Sequence, residues 1–335
     1  MGKAGAKRAL GLLGFLAVLL LLDRVFPSVI NPYAARLLIL SGINIMLAVS
    51  LNLINGFTGQ FSLGHAGFMA IGGYTSGFFA IHAGPAILAS LGAGPENPGW
   101  AAGGVVLVLG LLIGGVCAAI AGLLIGIPTL RLRGDYLAIA TLGLGEIIRV
   151  IILNIDAVGG ARGLNNIPGY TTFFWVYLLV GLTVIVHWNL VRSRHGRALL
   201  AVREDEVAAE SLGVSTTRYK VLAFTVGAAF AGMAGSLFGH YLRYLNTNSF
   251  GFLKSIEVVI MVVLGGMGSI TGSITAAVLL TLMPEFLRPI KAYRMVIYSL
   301  MLVLLMILRP QGIFGMKEPD LPGWLRRLRP RRSTG

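Results

Sequence analysis

Between Arg36 and Glu96 the chain carries no Asp, Glu, Lys or Arg. A tract of that kind is too long and too apolar for the interior of a soluble domain, and it can cross a bilayer more than once at about 20 residues a crossing. With lipid as the solvent, every backbone N–H and C=O must be satisfied within the chain, which a helix bundle does. Composition agrees. The sequence is 56% apolar and 12% charged, with a mean hydropathy of +0.82, against roughly a quarter charged for a soluble domain. The expected fold is an all-α integral membrane protein, a polytopic helix bundle.

The net charge is +14. The basic residues sit at the ends and in loops beside apolar runs: Lys3, Lys7 and Arg8; Arg131 and Arg133; Arg192, Arg194 and Arg197; then Arg326, Arg327, Arg329, Arg331 and Arg332. This is the distribution of the positive-inside rule, and it argues against a nucleic-acid partner. Cys117 is the sole cysteine, so no disulfide forms within the chain and a packing role is expected. The basic start followed by an apolar run resembles a secretory signal, but no A-x-A site follows, so an uncleaved first span is expected.

Seven spans read clearly, at about 9–26, 36–54, 62–83, 101–127, 136–154, 172–190 and 220–241. Starting inside, they place Arg131, Arg133 and the block 191–219 in the cytoplasm. Residues 23–36, 84–100, 156–171 and 242–255 fall outside. Residues 295–308 form a last span, followed by a basic cytoplasmic tail over 317–335. Residues 256–288 must then cross and return, as two short crossings or a re-entrant pair. The expectation is about ten crossings with both termini cytoplasmic, within a permease domain over 1–316. Nine crossings with an outer C-terminus is the alternative, since Arg288, Lys291 and Arg294 otherwise lie on the wrong side.

Two glycine-rich breaks interrupt the apolar pattern: "NGFTGQFSLGHAGFMAIGGYTSG" at 55–77 and "GGMGSITGS" at 265–273. Paired interruptions in the two halves of a transporter point to a central path. Close helix packing through small residues, such as Gly64 with Phe68 or Gly73 with Gly77, is the plainer reading. Candidate path residues are Asn52, Asn55, Ser62, Gly64, His65, Gly265, Gly266, Gly268 and Ser269. Glu146 and Arg149, three apart on one helix, share a face and can pair; a structural pair and a path lining both fit. There is no P-loop, no H-E-x-x-H, no C-x-x-C and no G-x-S-x-G. The histidines have no metal spacing.

The remaining feature is a charged passage between two spans, "RALLAVREDEVAAESLGV" at 197–214. Asp205 is a good N-cap, Glu206 places negative charge in the first turn, and Gly213 suits the position after the helix. The helix between, 206–212, is too short to hold itself in water. Val207, Ala208, Ser211 and Leu212 give it a small apolar face, with Glu206 and Glu210 on another. Its own spans and a docking partner would hold it.

"GRALLAVREDEVAAESLGV" resembles the cytoplasmic loop of the branched-chain amino-acid permeases of ATP-binding-cassette importers, the LivM-like family. The resemblance runs through nearly the whole chain: "LNLINGFTGQFSLGHAGFMAIGGYTSG", "LRLRGDYLAIATLGLGEIIRVII", "GGMGSITGSITAAVLL" and "RPQGIFG" all match in order. It implies a membrane subunit in the bacterial inner membrane, paired with a homologous second permease. Two cytoplasmic ATPase subunits and an extracytoplasmic substrate-binding protein complete the assembly. This chain then binds no cofactor; ATP and Mg sit on the partner ATPases. The coupling helix falls at Arg203, Asp205, Glu206, Ala208, Ala209, Glu210, Leu212 and Gly213. Family substrates are leucine, isoleucine and valine, with relatives moving other amino acids, urea or short amides. A self-sufficient ion-coupled carrier is the competing class.

Overall fold

The computed structural model describes residues 14, 17–25, 31–94, 99–130, 132, 134–286, 300, 312, 313 and 315. Residues 9–13, 15, 16 and 26 of the expected first span, all of the expected last span except residue 300, and the basic tail lie outside the described residues. The described helices are α1 (Pro32–Asn55), α2 (His65–His82), α3 (Gly84–Ser90), α4 (Gly99–Thr129), α5 (Asp135–Leu153), α6 (Phe173–Arg192), α7 (Arg194–Glu204), α8 (Glu206–Ser211), α9 (Thr216–Leu242), α10 (Phe252–Gly265) and α11 (Ile270–Phe286). Among these residues the only strand-like pairing is an antiparallel bridge between Leu164 and Leu245. Among the described residues six segments are long and apolar enough to cross a membrane: α1, α4, α5, α6, α9 and 247–265. The chain is a multi-pass membrane protein.

α1 is the axis of the bundle. Every residue from Ser41 to Asn55 is buried, and α6, α9, α10 and α11 pack around it. Lipid supplies no hydrophobic drive between helices, so close backbone approach must hold them. Glycines provide it. A Cβ on Gly72 would overlap the backbone of Gly232, and one on Gly235 would overlap the Met69 carbonyl. On α4, Gly122 meets the Ala228 methyl. The small-residue reading of the first glycine-rich segment therefore holds for its second half, and α9 is the partner. α4 turns Leu112, Val116, Ile120 and Leu124 outward at four-residue spacing, a stripe that a soluble protein rarely exposes.

The second break lies between α10 and α11. Gly266 and Gly268 have φ of +106° and +89°, in the half of backbone space that side chains disfavour. The break reverses the chain, and α10 packs back on α11 with Gly265 against Gly272. These helices have 14 and 17 residues, about 21 and 25 Å at 1.5 Å per residue, short of the roughly 30 Å hydrocarbon core. The break carries a further strand of chain: the Ile313 amide donates to the Leu264 carbonyl at 2.8 Å.

Residues 242–255, expected outside, instead turn inward. Leu245, Thr247 and Phe250 are buried. Tyr74, in the tenth position of α2, donates to the Leu245 carbonyl at 3.3 Å, and Phe250 meets the rings of Tyr74 and Phe238. Side chains thus satisfy a non-helical backbone that open lipid could not tolerate. As a result α10 starts beside the middle of its neighbours: Phe252 N–H meets Glu146, twelfth of the 19 residues of α5.

Candidate functional site

α8 has the ends its sequence requires. The Asp205 carboxylate accepts from the Val207 and Ala208 amides at 2.9 and 3.0 Å. At the other end the helix runs to Ser211 and Leu212 is the C-cap, so Gly213 stands at C′. The Gly213 amide donates to Glu210 O at 2.9 Å and the Val214 amide to Ala209 O at 3.0 Å, with Gly213 at φ +82°. This paired closure is the Schellman arrangement, which places glycine at that residue.

The short helix is anchored on one side and open on the other. Ala209 is buried, and Glu206 turns inward to Lys220 on α9 at 2.6 Å, where the lysine side chain is 2% exposed. Glu206 and Glu210 therefore do different things: the first fastens the helix, the second faces out. Val207, Ala208, Glu210, Ser211, Leu212 and Gly213 are exposed, Leu212 at 84%. α7 holds the other flank through buried Leu199 and Val202, and its start is capped by Ser193, which accepts from His195 N and Gly196 N.

Arg203, the penultimate residue of α7, ties α7 and α8 to the bundle. Its Nη1 donates to the Gly56 carbonyl at 2.9 Å while its Nε and Nη2 engage Glu204. Gly56 begins the first break. Beside it, Asn52 donates to the Ser269 carbonyl at 2.9 Å and accepts from the Gly268 amide at 2.9 Å. The two breaks, more than 200 residues apart in sequence, thus meet at one buried asparagine beside the Arg203 contact. Space there is exhausted. A Cβ on Gly56 would overlap the Asn52 Oδ1 and the Gly268 amide. Gly59, at φ +68°, lies against the Arg203 stem, and Gly268 against its Nη1, where a Cβ would sit 2.9 Å away in each case.

The other candidates form a second layer. Asn55 pairs with the Ser62 backbone, accepting from its amide at 3.1 Å. The Leu63 amide donates to the Thr141 hydroxyl at 3.0 Å, and a Cβ on Gly64 would overlap the Thr141 carbonyl. His65 is buried with its Nε2 2.9 Å from Ser50 Oγ, and the next amide, Ala66, donates to Ser255 at 3.2 Å. Gly265 and Gly266 stand on the far side of the turn, against Gly272 and Gly315. The structure thus gathers Asn52, Gly268 and Ser269 in one cluster, and Asn55, Ser62, Gly64 and His65 in an adjoining one.

Glu146 and Arg149 do pair, at 2.6 Å. The carboxylate also receives Phe252 N–H at 3.1 Å, so the pair closes the N-terminus of α10, where negative charge is favoured. Among the ionisable residues that the apolar pattern concealed are Lys220, Lys254, Glu257 and Glu285. Each is a charge inside or beside an apolar helix, which is signal enough in a membrane chain. Residue 254 escaped because 242–255 read as an outer loop.

Residues 33–308 match the family model described as branched-chain amino acid transport system / permease component. The chain is 39% identical over 342 residues to the high-affinity branched-chain amino acid transport system permease protein LivM of Escherichia coli K12, covering 92% of this chain and 76% of the relative. It is also 32% identical over 144 residues to the permease protein LivH of the same organism, covering 42% of this chain and 45% of that relative. A probable LivM permease of Methanocaldococcus jannaschii is 23% identical over 244 residues, 65% of this chain and 70% of the relative. No solved structure matches. The chain belongs to the family of permease components of branched-chain amino acid transport systems.

Proposed function

We propose that this chain is the membrane-spanning permease subunit of an ATP-binding-cassette importer of leucine, isoleucine and valine in the bacterial inner membrane. The observation that carries this is α8: a six-residue helix closed at both ends, fastened to α9 by Glu206 and Lys220, with Val207, Glu210 and Leu212 turned out to solvent. A helix that short is built to be touched by something else. Its partners are two ATPase subunits carrying ATP and Mg. A homologous second permease completes the pathway, in keeping with the chain's likeness to both LivM and LivH. An extracytoplasmic binding protein delivers the substrate. The chain crosses the membrane about ten times with both termini cytoplasmic, and α10 and α11 make two short crossings or a re-entrant pair.

Transport follows alternating access. ATPase closure moves α8, and the energy comes from the different contacts α8 makes with the two ATPase states. Arg203 and Asn52 carry that movement to both breaks, so the glycine-rich residues shape the path at its cytoplasmic end. Arg203, Asp205, Glu206, Ala208, Ala209, Glu210, Leu212 and Gly213 are the coupling residues. Asn52, Asn55, Ser62, Gly64, His65, Gly265, Gly266, Gly268 and Ser269 are the path-shaping ones.

Reconstitution tests this. With ATPases, sister permease and binding protein, proteoliposomes should concentrate leucine in an ATP-dependent way, and the chain alone should not under any ion gradient. Uphill uptake by the isolated chain would make it a secondary carrier. ATP-driven uptake of another amino acid, urea or an amide, with leucine refused, would move the substrate within the family.

A further inference from the structure

At the end of the bundle away from Arg203, a cavity of about 470 Å³ opens between α1, α10 and α11. Its size falls in the range of small-molecule sites. Charged and polar groups line one side: Lys254 and Glu257 on α10, Glu285 and Thr281 on α11, Asn44 and Tyr33 on α1. Leu40, Ile43, Met69, Phe238 and Leu280 line the other.

The polar groups are interlinked. Lys254 Nζ lies 3.1 Å from Glu257 Oε2 and 3.0 Å from Asn44 Oδ1. Asn44 donates onward to Thr281 Oγ1 at 2.9 Å, and the Tyr33 hydroxyl donates to Glu285. Lys254 is in the thirteenth-residue neighbourhood of α1 through Asn44, well inside the bundle.

Folding alone does not explain this arrangement. Lys254 is in the first turn of α10, where the helix dipole disfavours a cation. An ionisable group beside a span costs free energy unless something uses it. An aliphatic lining completed by a cation and two carboxylates is complementary to one chemical class, a zwitterion with an apolar side chain.

We propose that this cavity is this chain's share of the amino-acid-binding site. The substrate carboxylate meets Lys254, its ammonium meets Glu257 and Glu285, and its branched side chain lies against Ile43, Met69 and Leu280. The proposal rests on the transport reading above and names the substrate's contacts within it.

The test uses the complete transporter in nanodiscs without binding protein, with Cys117→Ser and Leu40→Cys, and a membrane-impermeant thiol reagent as the probe. Leucine should slow labelling at least fivefold. 4-Methylpentanoate and 3-methylbutylamine, which each lack one charge, should protect at least fivefold less well. Lys254→Met and Glu257→Gln should each remove the protection and lower leucine uptake at least tenfold while basal ATP hydrolysis persists. If the parent complex transports leucine but leucine leaves labelling unchanged, or protects the Lys254→Met variant equally, the site is wrong and the transport reading stands. If the parent complex does not transport leucine at all, both fall.

Discussion

The two ends of the bundle are built on opposite plans. At the end that carries α7 and α8, Arg203, Gly56, Asn52, Gly268 and Ser269 form a closed chain of hydrogen bonds with no room for a methyl group. At the other end, Lys254, Glu257, Asn44, Thr281, Tyr33 and Glu285 border an open space of about 470 Å³. The first end suits the transmission of movement, since a close-packed contact passes a displacement on rather than absorbing it. The second suits a ligand, since its polar groups can exchange partners without breaking the core.

The contrast can be broken by adding or removing single groups. Gly56→Ala forces a Cβ into Asn52 and the Gly268 amide, overpacking that costs about 1–3 kcal/mol or more. Uptake should fall at least a hundredfold in proteoliposomes. Leu40→Met, in the half-buried wall of the cavity, should change uptake less than about threefold, because swaps that conserve volume cost little. Equal sensitivity at the two ends would erase the distinction.

Asn52→Ala comes next in size. It strips the Gly268 amide of the Asn52 acceptor, at about 1–3 kcal/mol for a buried group left unsatisfied, while the Ser269 carbonyl keeps the Ser273 amide and hydroxyl. Thermal denaturation in detergent should shift downward, and uptake should fall with it. A variant as stable as the parent would mean that the breaks are held together by something other than Asn52.

Gly213→Val and Glu210→Lys have the smallest effect on the fold. Valine at φ +82° should cost about 1 kcal/mol. Reversal of the exposed Glu210 should stay within about 0.5 kcal/mol. Both should nonetheless weaken the ATPase contact, read as lost co-purification of the ATPase with a permease that still reaches the membrane. Intact co-purification in the double variant would deprive α8 of its docking role.

The sequence made one of these ends legible and hid the other. Asp205 and Gly213 announced α8 because capping is local chemistry, readable within a few residues. The glycine runs announced two breaks, but their meeting at Asn52 could not be read, since it joins residues 217 apart. Glycine interruption suggested a substrate path; the close approach around Arg203 is a further use of the same residues that no local pattern foretold. The cavity stayed hidden for a different reason. Its charges come from α10 and α11, and the inward turn of 242–251 that sets Lys254 within the bundle depends on Tyr74 and Glu146 from distant helices. Pattern and hydropathy alone leave such a segment outside.

The central claim is that Arg203 passes the movement of α8 to the breaks, and the ratio of leucine taken up to ATP hydrolysed tests it most directly. In proteoliposomes of the complete transporter, Arg203→Gln removes the charged donor to the Gly56 carbonyl and leaves the exposed face of α8 in place. The account predicts that ATP hydrolysis continues within about twofold of the parent while uptake per ATP drops at least tenfold. An unchanged ratio, with uptake and hydrolysis both at parental rates, would contradict it.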